Sequence, residues 1–231
     1  MSSKIIRPFM LIVIVVVTLL SLTVVYQHHQ QKPPAPALMT SDTGNTQNHP
    51  ASPLTIDTKN QPTLGSKKAP VSIVAFEDLK CIACRDYNLN LYQTIKKDYV
   101  NTGKASYTIM NLAFIPGSIN AATTARCLYN QKPDFFFQFV DYIYKHQGAE
   151  EDNWTTVPNM LAEASKINGV DNVKLGVCVT TNDYSKLFNQ NLEQASKLMG
   201  GTIRTPSLYV NGTLVSPLTI KQFKTIYNQV S

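Results

Sequence analysis

Residues 69–84 read APVSIVAFEDLKCIAC, and this stretch decides the fold. Its first half, Val71 to Phe76, is a short run rich in β-branched residues, which is typical of a buried strand. A helix is predicted from about Ala83 to Val100, because apolar and aromatic residues recur there at spacings of three and four. The two cysteines, Cys81 and Cys84, therefore fall where a strand ends and a helix begins.

This position gives the two sulfurs different chemistry. Two intervening residues bring both sulfurs within disulfide reach. The unpaired N–H groups and the positive dipole end of the helix favour a thiolate on Cys81. Cys84, one turn further along, is shielded and is expected to resolve a mixed disulfide.

Two other readings of the pair are half of a zinc site and a structural disulfide across a short loop. A structural zinc normally needs a second close pair of ligands. Cys127 and Cys178 each stand alone, with no histidine nearby. A strand followed directly by a helix also favours redox chemistry over a structural disulfide. The sequence thus predicts a redox pair that uses no metal and no cofactor.

The remaining elements complete an α/β pattern. A second strand is predicted over Ala105–Phe114, parallel to the first if the helix is the crossover. Residues 118–200 contain no convincing strand and show five helical patterns, namely Ser118–Gln131, Pro133–Gln147, Thr155–Asn168, Val170–Thr180 and Asp183–Met199. Asn211-Gly212 between β-rich runs predicts a hairpin, and Thr219–Val230 reads as a closing amphipathic helix. The predicted order is β-α-β, a helical block, then β-β-α.

The N-terminus predicts export. Lys4 and Arg7 precede an uncharged stretch of 19 residues, Pro8 to Tyr26, close to the roughly 20 that a bilayer core requires. The stretch is a transmembrane anchor or a cleaved signal sequence, and both would send the following chain outward. Residues 1–26 are therefore predicted to be the anchor or signal, 27–64 a flexible tether rich in polar residues and proline, and 65–231 the folded domain.

The charge distribution argues against a nucleic-acid partner. The formal net charge is +6, but from residue 66 onward 17 Lys and Arg residues face 13 Asp and Glu residues. These basic residues are scattered singly or in pairs, without the stripe that a nucleic-acid interface requires. A mildly basic, solvated surface explains them.

A late motif makes the pattern more specific. Residues 201–212 read GTIRTPSLYVNG, so Thr205-Pro206 lies immediately before the predicted hairpin. With the CxxC pair and the helical insertion, residues 64–231 resemble the DsbA family of thioredoxin-fold oxidoreductases, in its membrane-anchored branch. The resemblance implies a thioredoxin fold with an inserted helical subdomain at about 118–200. It also implies that Cys81 is the nucleophile, that Cys84 resolves, and that Thr205 and Pro206 form a cis-proline loop that binds substrate.

The resemblance also implies a function in the bacterial envelope. It predicts a periplasmic domain, tethered to the inner membrane or soluble if cleaved, that exchanges disulfides with the cysteines of exported proteins. We expect it to donate disulfides and to be reset by a membrane redox partner. The alternatives are isomerase or reductase activity on the same fold. An alternative from another class is a redox-inert scaffold or binding module of the envelope.

Three features bear on these expectations. The strongly oxidising relatives carry Pro-His between the cysteines, and Ile82-Ala83 adds no charge or hydrogen bond, so a milder oxidant is expected. The buried acid of the fold would fall at Ala75, and the sequence does not say whether the nearby acids, Glu77 and Asp78, replace it. Some relatives carry a second disulfide in the insertion, which implies one between Cys127 and Cys178. The alternatives for these two cysteines are buried free thiols or a relay with the redox pair.

Overall fold

The computed structural model describes residues 53–231. The predicted anchor or signal at 1–26 and the first part of the predicted tether, 27–52, lie outside the described residues. Within 53–231, no helix combines the length and the apolar character that crossing a bilayer requires.

The domain is built on a five-stranded mixed sheet in the order β1-β3-β2-β4-β5. Its strands are β1 (Thr63–Leu64), β2 (Val71–Glu77), β3 (Ala105–Asn111), β4 (Ser207–Val210) and β5 (Thr213–Leu214). Strand β2 pairs parallel with β3 and antiparallel with β4. Because β2 is central and covered on both faces, its run of apolar residues is continuous rather than alternating.

The crossover from β2 to β3 is a helix, α1, that starts directly after Cys81. Its α-helical segments are Ile82–Tyr87 and Gln93–Ile95. The segments Asn88–Tyr92 and Lys96–Val100 have π-helical geometry. The predicted β-α-β unit is therefore present. Strand β3 ends at Asn111, three residues before the predicted end at Phe114.

The helical insertion contains the five expected helices. They are α2 (Ser118–Gln131), α3 (Pro133–Lys145), α4 (Val157–Ala164), α5 (Asn172–Thr181) and α6 (Ser185–Leu198). The largest difference is at the end of α4, which we expected at Asn168. There the N–H groups of Lys166 and Ile167 bond to carbonyls three residues earlier, and this tighter turn closes the helix. The fold class is confirmed as a thioredoxin fold with an inserted helical subdomain.

The predicted hairpin and closing helix α7 (Ile220–Val230) are linked by the turn residue Asn211. Its side chain accepts a hydrogen bond from the Ser72 N–H (2.8 Å) and donates one to the Val230 carbonyl (3.1 Å). Asn211 and Gly212 have φ values of 45° and 81°, which is the turn geometry that Asn-Gly favours. A Cβ at Gly212 would also collide with the backbone of Leu54.

The folded part starts earlier than the boundary at residue 65 that the composition indicated. Leu54 and Ile56 pack on the sheet face opposite α1, beside Phe76 and Tyr209. Gln61 is buried and donates to the Asn191 side chain at 2.7 Å. Thr63–Leu64 then adds strand β1 to the edge of β3. Apolar contacts, a buried amide and strand pairing thus hold residues 53–64 on the domain, although most of the segment is polar.

Two helices of the insertion are joined covalently. A disulfide links Cys127 in α2 to Cys178 in α5, with an S–S distance of 2.07 Å and a sequence separation of 51. Cys127 is buried, and Cys178 lies at the margin of the same apolar core.

Candidate active site

The CxxC pair lies at the start of α1, shortly after β2 ends, with both thiols free. Cys81 has extended backbone geometry and caps α1, while Cys84 lies one turn inside the helix. Cys81 is 8% exposed and Cys84 is 0% exposed. Substrate sulfur can therefore reach Cys81 more readily than Cys84.

The surroundings of Cys81 favour its thiolate. The Cys84 thiol donates a hydrogen bond to it, which is the largest of the effects that lower the pKa of Cys81 from 9.0 to about 6. Burial opposes this shift, whereas the Thr205 side chain and the N–H groups of Cys84 and Ala83 reinforce it. Much of Cys81 is therefore thiolate at neutral pH, and the thiolate is the reactive species.

The surroundings of Cys84 have the opposite effect. Burial in apolar surroundings raises its pKa well above the ordinary value. Its hydrogen bond to Cys81 and the negative charge of Glu77 raise it further. Cys84 thus holds its proton while Cys81 loses one, as expected of a buried partner to an attacking thiolate.

The Thr205-Pro206 loop lies against Cys81. The peptide bond between these two residues is cis, and the Cys81 thiol donates to the Thr205 carbonyl at 3.7 Å. The Met199 sulfur accepts from the Arg204 N–H at 3.3 Å, and Ser207 closes the turn by donating to the Arg204 carbonyl at 2.7 Å. These contacts hold the loop against Cys81.

Glu77, the last residue of β2, is a buried carboxyl group beneath the pair. Tyr107 from β3 and Tyr144 from α3 each donate to one of its oxygens at 2.9 Å. Burial raises the pKa of Glu77 to about 7. The two tyrosine hydrogen bonds lower it, whereas the charges of Asp141 and Cys81 raise it. Glu77 therefore changes its protonation state near neutral pH, within electrostatic range of Cys84.

Asp78 fixes the segment that carries the pair. One of its oxygens accepts from the Lys80 N–H at 2.8 Å. The other accepts from the N–H groups of Phe114 and Ile115 and from the Ser118 hydroxyl, at 2.9 to 3.0 Å. The carboxylate thus joins the entry to the CxxC pair with the loop that follows β3.

A loop from the helical insertion covers the start of α1. We call residues 146–155 the capping loop. Its Gln147 side chain donates to the Leu79 carbonyl at 3.0 Å, and the Lys80 ammonium donates to the Asp152 carbonyl at 3.0 Å. The Gln147 side chain also donates to the Cys81 carbonyl at 3.4 Å, so the insertion contacts the redox pair directly. Across residues 53–231, no three His, Cys, Asp or Glu side chains are grouped to hold a metal ion.

We predict that the buried carboxyl group makes the protein less stable as pH rises. A folded-state pKa near 7, above the ordinary 4.5, means that the folded state binds the extra proton between these values. The contribution of Glu77 to the free energy of unfolding is then complete below about pH 4.5 and is lost as the pH rises through about 7. Between pH 4.5 and pH 8, the free energy of unfolding of Glu77→Gln should therefore rise by on the order of 3 kcal/mol relative to that of the wild type.

This comparison is best made by urea unfolding of the oxidised protein at several pH values, because the CxxC cysteines then do not titrate. Glutamine retains an oxygen that can accept from a tyrosine, so the variant is close in shape to the wild type. A stability difference that stays constant across this pH range would show that Glu77 does not titrate there.

The structure brings four of the sequence-predicted site residues together, namely Cys81, Cys84, Thr205 and Pro206. Cys127 and Cys178 are joined to each other within the insertion. Sequence reasoning left Glu77 unassigned, because alternation along a strand is no guide when both faces are buried. It missed Tyr144 and the capping loop, which lie more than 60 residues after Cys81 in the sequence. No residue spacing indicates that they pack against this site.

A CxxC pair at the start of the helix that follows a central strand, with a cis-proline loop against the first sulfur, defines the class of thioredoxin-fold thiol–disulfide oxidoreductases. A family model described as Thioredoxin matches residues 57–229. The chain is 31% identical over 159 residues to a Bacillus cereus protein named as a probable disulfide bond formation protein D, covering 68% of this chain and 73% of that one. It is 29% identical over 160 residues to the disulfide bond formation protein D of Bacillus subtilis, covering 68% and 70%.

Among solved structures, the chain is similar to Chlamydia trachomatis DsbA. The TM-score is 0.69 at 26% sequence identity, covering 78% of this chain and 96% of that one. The chain belongs to the thioredoxin family and, within it, to the DsbA-like thiol–disulfide oxidoreductases. Its activity is thiol–disulfide exchange.

Proposed function

We propose that this protein donates disulfides to exported proteins through a Cys81–Cys84 disulfide. The observation that carries the proposal is the contrast between the two thiols. Cys81 keeps a small exposed area and has its pKa lowered to about 6, whereas Cys84 is fully buried with its pKa raised. A stabilised Cys81 thiolate stabilises the reduced pair, and this makes the disulfide form an oxidant.

The exchange proceeds in two displacements. A substrate thiolate attacks the Cys81 sulfur, which forms a mixed disulfide and releases Cys84 as a thiolate that takes up a proton. A second substrate thiolate then attacks the substrate sulfur of the mixed disulfide and releases the Cys81 thiolate. The substrate loses two electrons and gains one disulfide, and the pair gains the two electrons.

Glu77 is suited to supply the proton that Cys84 takes up. Its pKa of about 7 means that a large fraction is protonated near neutral pH, and its charge is coupled to Cys84. Tyr107 and Tyr144 hold the carboxyl group in place by donating to its two oxygens. We therefore assign Glu77 the role of proton donor and acceptor for Cys84.

Thr205 and Pro206 are proposed to bind the substrate. Their loop lies beside the Cys81 sulfur, so an extended substrate segment can lie between the loop and the pair with backbone hydrogen bonds.

The setting of the reaction is proposed from the sequence. Residues 1–26 either anchor the protein in the membrane or direct its export as a signal that is removed. If they are an anchor, the segment that follows links it to the domain. The domain then faces the cell envelope, where oxidation of cysteines is useful. A membrane redox partner returns the reduced pair to the disulfide, because each turnover leaves Cys81 and Cys84 reduced.

The test is a single-turnover reaction between the oxidised full-length chain and reduced, unfolded ribonuclease A. A disulfide donor transfers its disulfide to the client and becomes reduced in equal amount. An isomerase reactivates ribonuclease with scrambled disulfides when it is itself reduced, and a reductase transfers little disulfide to the client. A redox-inert scaffold does neither, and that result would contradict the proposal.

A further inference from the structure

The capping loop has a fixed shape. The Trp154 ring donates through Nε1 to the Ala149 carbonyl at 3.0 Å. It also lies so close to Gly148 that a Cβ there would come within 2.7 Å of the ring. Gln147 and Asp152 connect the two ends of the loop to the segment before Cys81. The loop therefore holds its side chains in defined positions over the start of α1.

One of these side chains carries a charge to the end of the helix. The Glu150 carboxylate accepts a hydrogen bond from the Ile82 N–H at 3.1 Å. The next two N–H groups, those of Ala83 and Cys84, stabilise the Cys81 sulfur. The carboxylate and the sulfur thus share three consecutive N–H groups of one helix terminus, and Glu150 is half-buried there.

Within residues 53–231, Glu150 forms no ion pair with a lysine, arginine or histidine. Lys80 donates to the carbonyls of Pro116 and Asp152. Arg85, one turn along α1, pairs with Asp86. Other charged residues near the pair are Glu77, Asp78 and Arg204, and Glu151 and Asp152 follow Glu150 in the capping loop.

We propose that Glu150 is a positioning residue that weakens the Cys81 thiolate and makes the protein a milder oxidant than its helix terminus alone would allow. The N–H groups and the positive potential of a helix N-terminus stabilise an anion there. Two anions at the same terminus repel each other. The Cys81 thiolate exists only in the reduced protein, so Glu150 disfavours the reduced form. The inference rests on the proposed role of Cys81 as the attacking cysteine.

The test is the pKa of Cys81 in the reduced full-length chain, followed by thiolate absorbance at 240 nm between pH 3 and 8. Glu150→Gln is expected to lower this pKa by about half a unit, the size typical of a charge at a helix terminus. The equilibrium constant with glutathione should shift about threefold towards the reduced protein, because half a pKa unit changes the stability of the Cys81 thiolate by that factor. Glu151→Gln, which removes the same charge from the exposed neighbouring residue, should leave both quantities nearly unchanged.

The outcomes separate this inference from the proposed function. If Cys81 has a lowered pKa in the wild type and Glu150→Gln leaves it unchanged, only the inference is overturned. An equal shift in Glu151→Gln would also overturn it, because the effect would then be one of general surface charge. If the wild-type Cys81 titrates near its ordinary value, the proposed function and the inference both fail. Glu150→Ala, which removes the charge and the acceptor together, should shift the pKa in the same direction.

Discussion

Replacing Cys81 with serine is expected to reduce disulfide exchange to the uncatalysed background, whereas replacing Cys84 with alanine should trap mixed disulfides. The two variants both lack the redox disulfide, but only Cys84→Ala retains the attacking sulfur. In that variant the Cys81 thiolate attacks a disulfide-bonded client, and no second protein thiol is present to release it. Cys84→Ala also removes the hydrogen bond that lowers the Cys81 pKa most, so the Cys81 pKa is higher in this variant and trapping should slow as the pH falls.

The two variants are matched controls for each other. The measurement is non-reducing electrophoresis after incubation with the client, with free thiols blocked by acid quench and alkylation. Cys84→Ala should give a client adduct that disappears with reductant, and Cys81→Ser should give none. Adducts in Cys81→Ser and none in Cys84→Ala would mean that the roles of the two cysteines are reversed.

Removing the Cys127–Cys178 disulfide is expected to cost about 4 kcal/mol of unfolding free energy. This value follows from the chain-entropy model for a closed loop of 51 residues. The disulfide ties α2 to α5, so its loss frees the insertion on which Tyr144 and the capping loop depend. The variant Cys127→Ala/Cys178→Ala is best compared by urea unfolding in a Cys81→Ser/Cys84→Ala background, where no redox pair can exchange with the disulfide.

In that comparison, a loss below about 1 kcal/mol would contradict the prediction and show that packing of the insertion does not depend on the covalent link. The same alanine pair, introduced with Cys81 and Cys84 intact, tests the relay alternative. If Cys127 and Cys178 are structural, disulfide transfer in a single turnover should persist wherever the variant remains folded. Loss of transfer by a folded variant would favour the relay.

The sequence predicts the framework of this protein well, because local signals specify it. The β-branched run before Cys81, the helical spacing after it and the Asn211-Gly212 turn each determine one element through short-range geometry. The start of the domain is harder to predict, because Leu54 and Ile56 are two apolar residues in a polar segment. Only the sheet face against which they pack shows that they are partly buried.

The active site divides in the same way. Cys81 and Cys84 are evident from their spacing at a strand end, and Thr205-Pro206 from its place before a hairpin. The groups that tune the pair come from long-range packing. Glu77 is held by two tyrosines that are distant from it in the sequence. Glu150 reaches the start of α1 because Trp154 fixes the shape of the capping loop. No local pattern encodes either arrangement.

The central claim is that the Cys81–Cys84 pair donates disulfides, and its reduction potential tests this most directly. The full-length chain would be equilibrated with glutathione buffers, alkylated and weighed as intact protein. A thiolate stabilised at Cys81, tempered by Ile82-Ala83 and Glu150, predicts a potential between about −120 and −180 mV, the range from strong oxidant to isomerase. A potential near about −270 mV, typical of a reductant, would contradict the account.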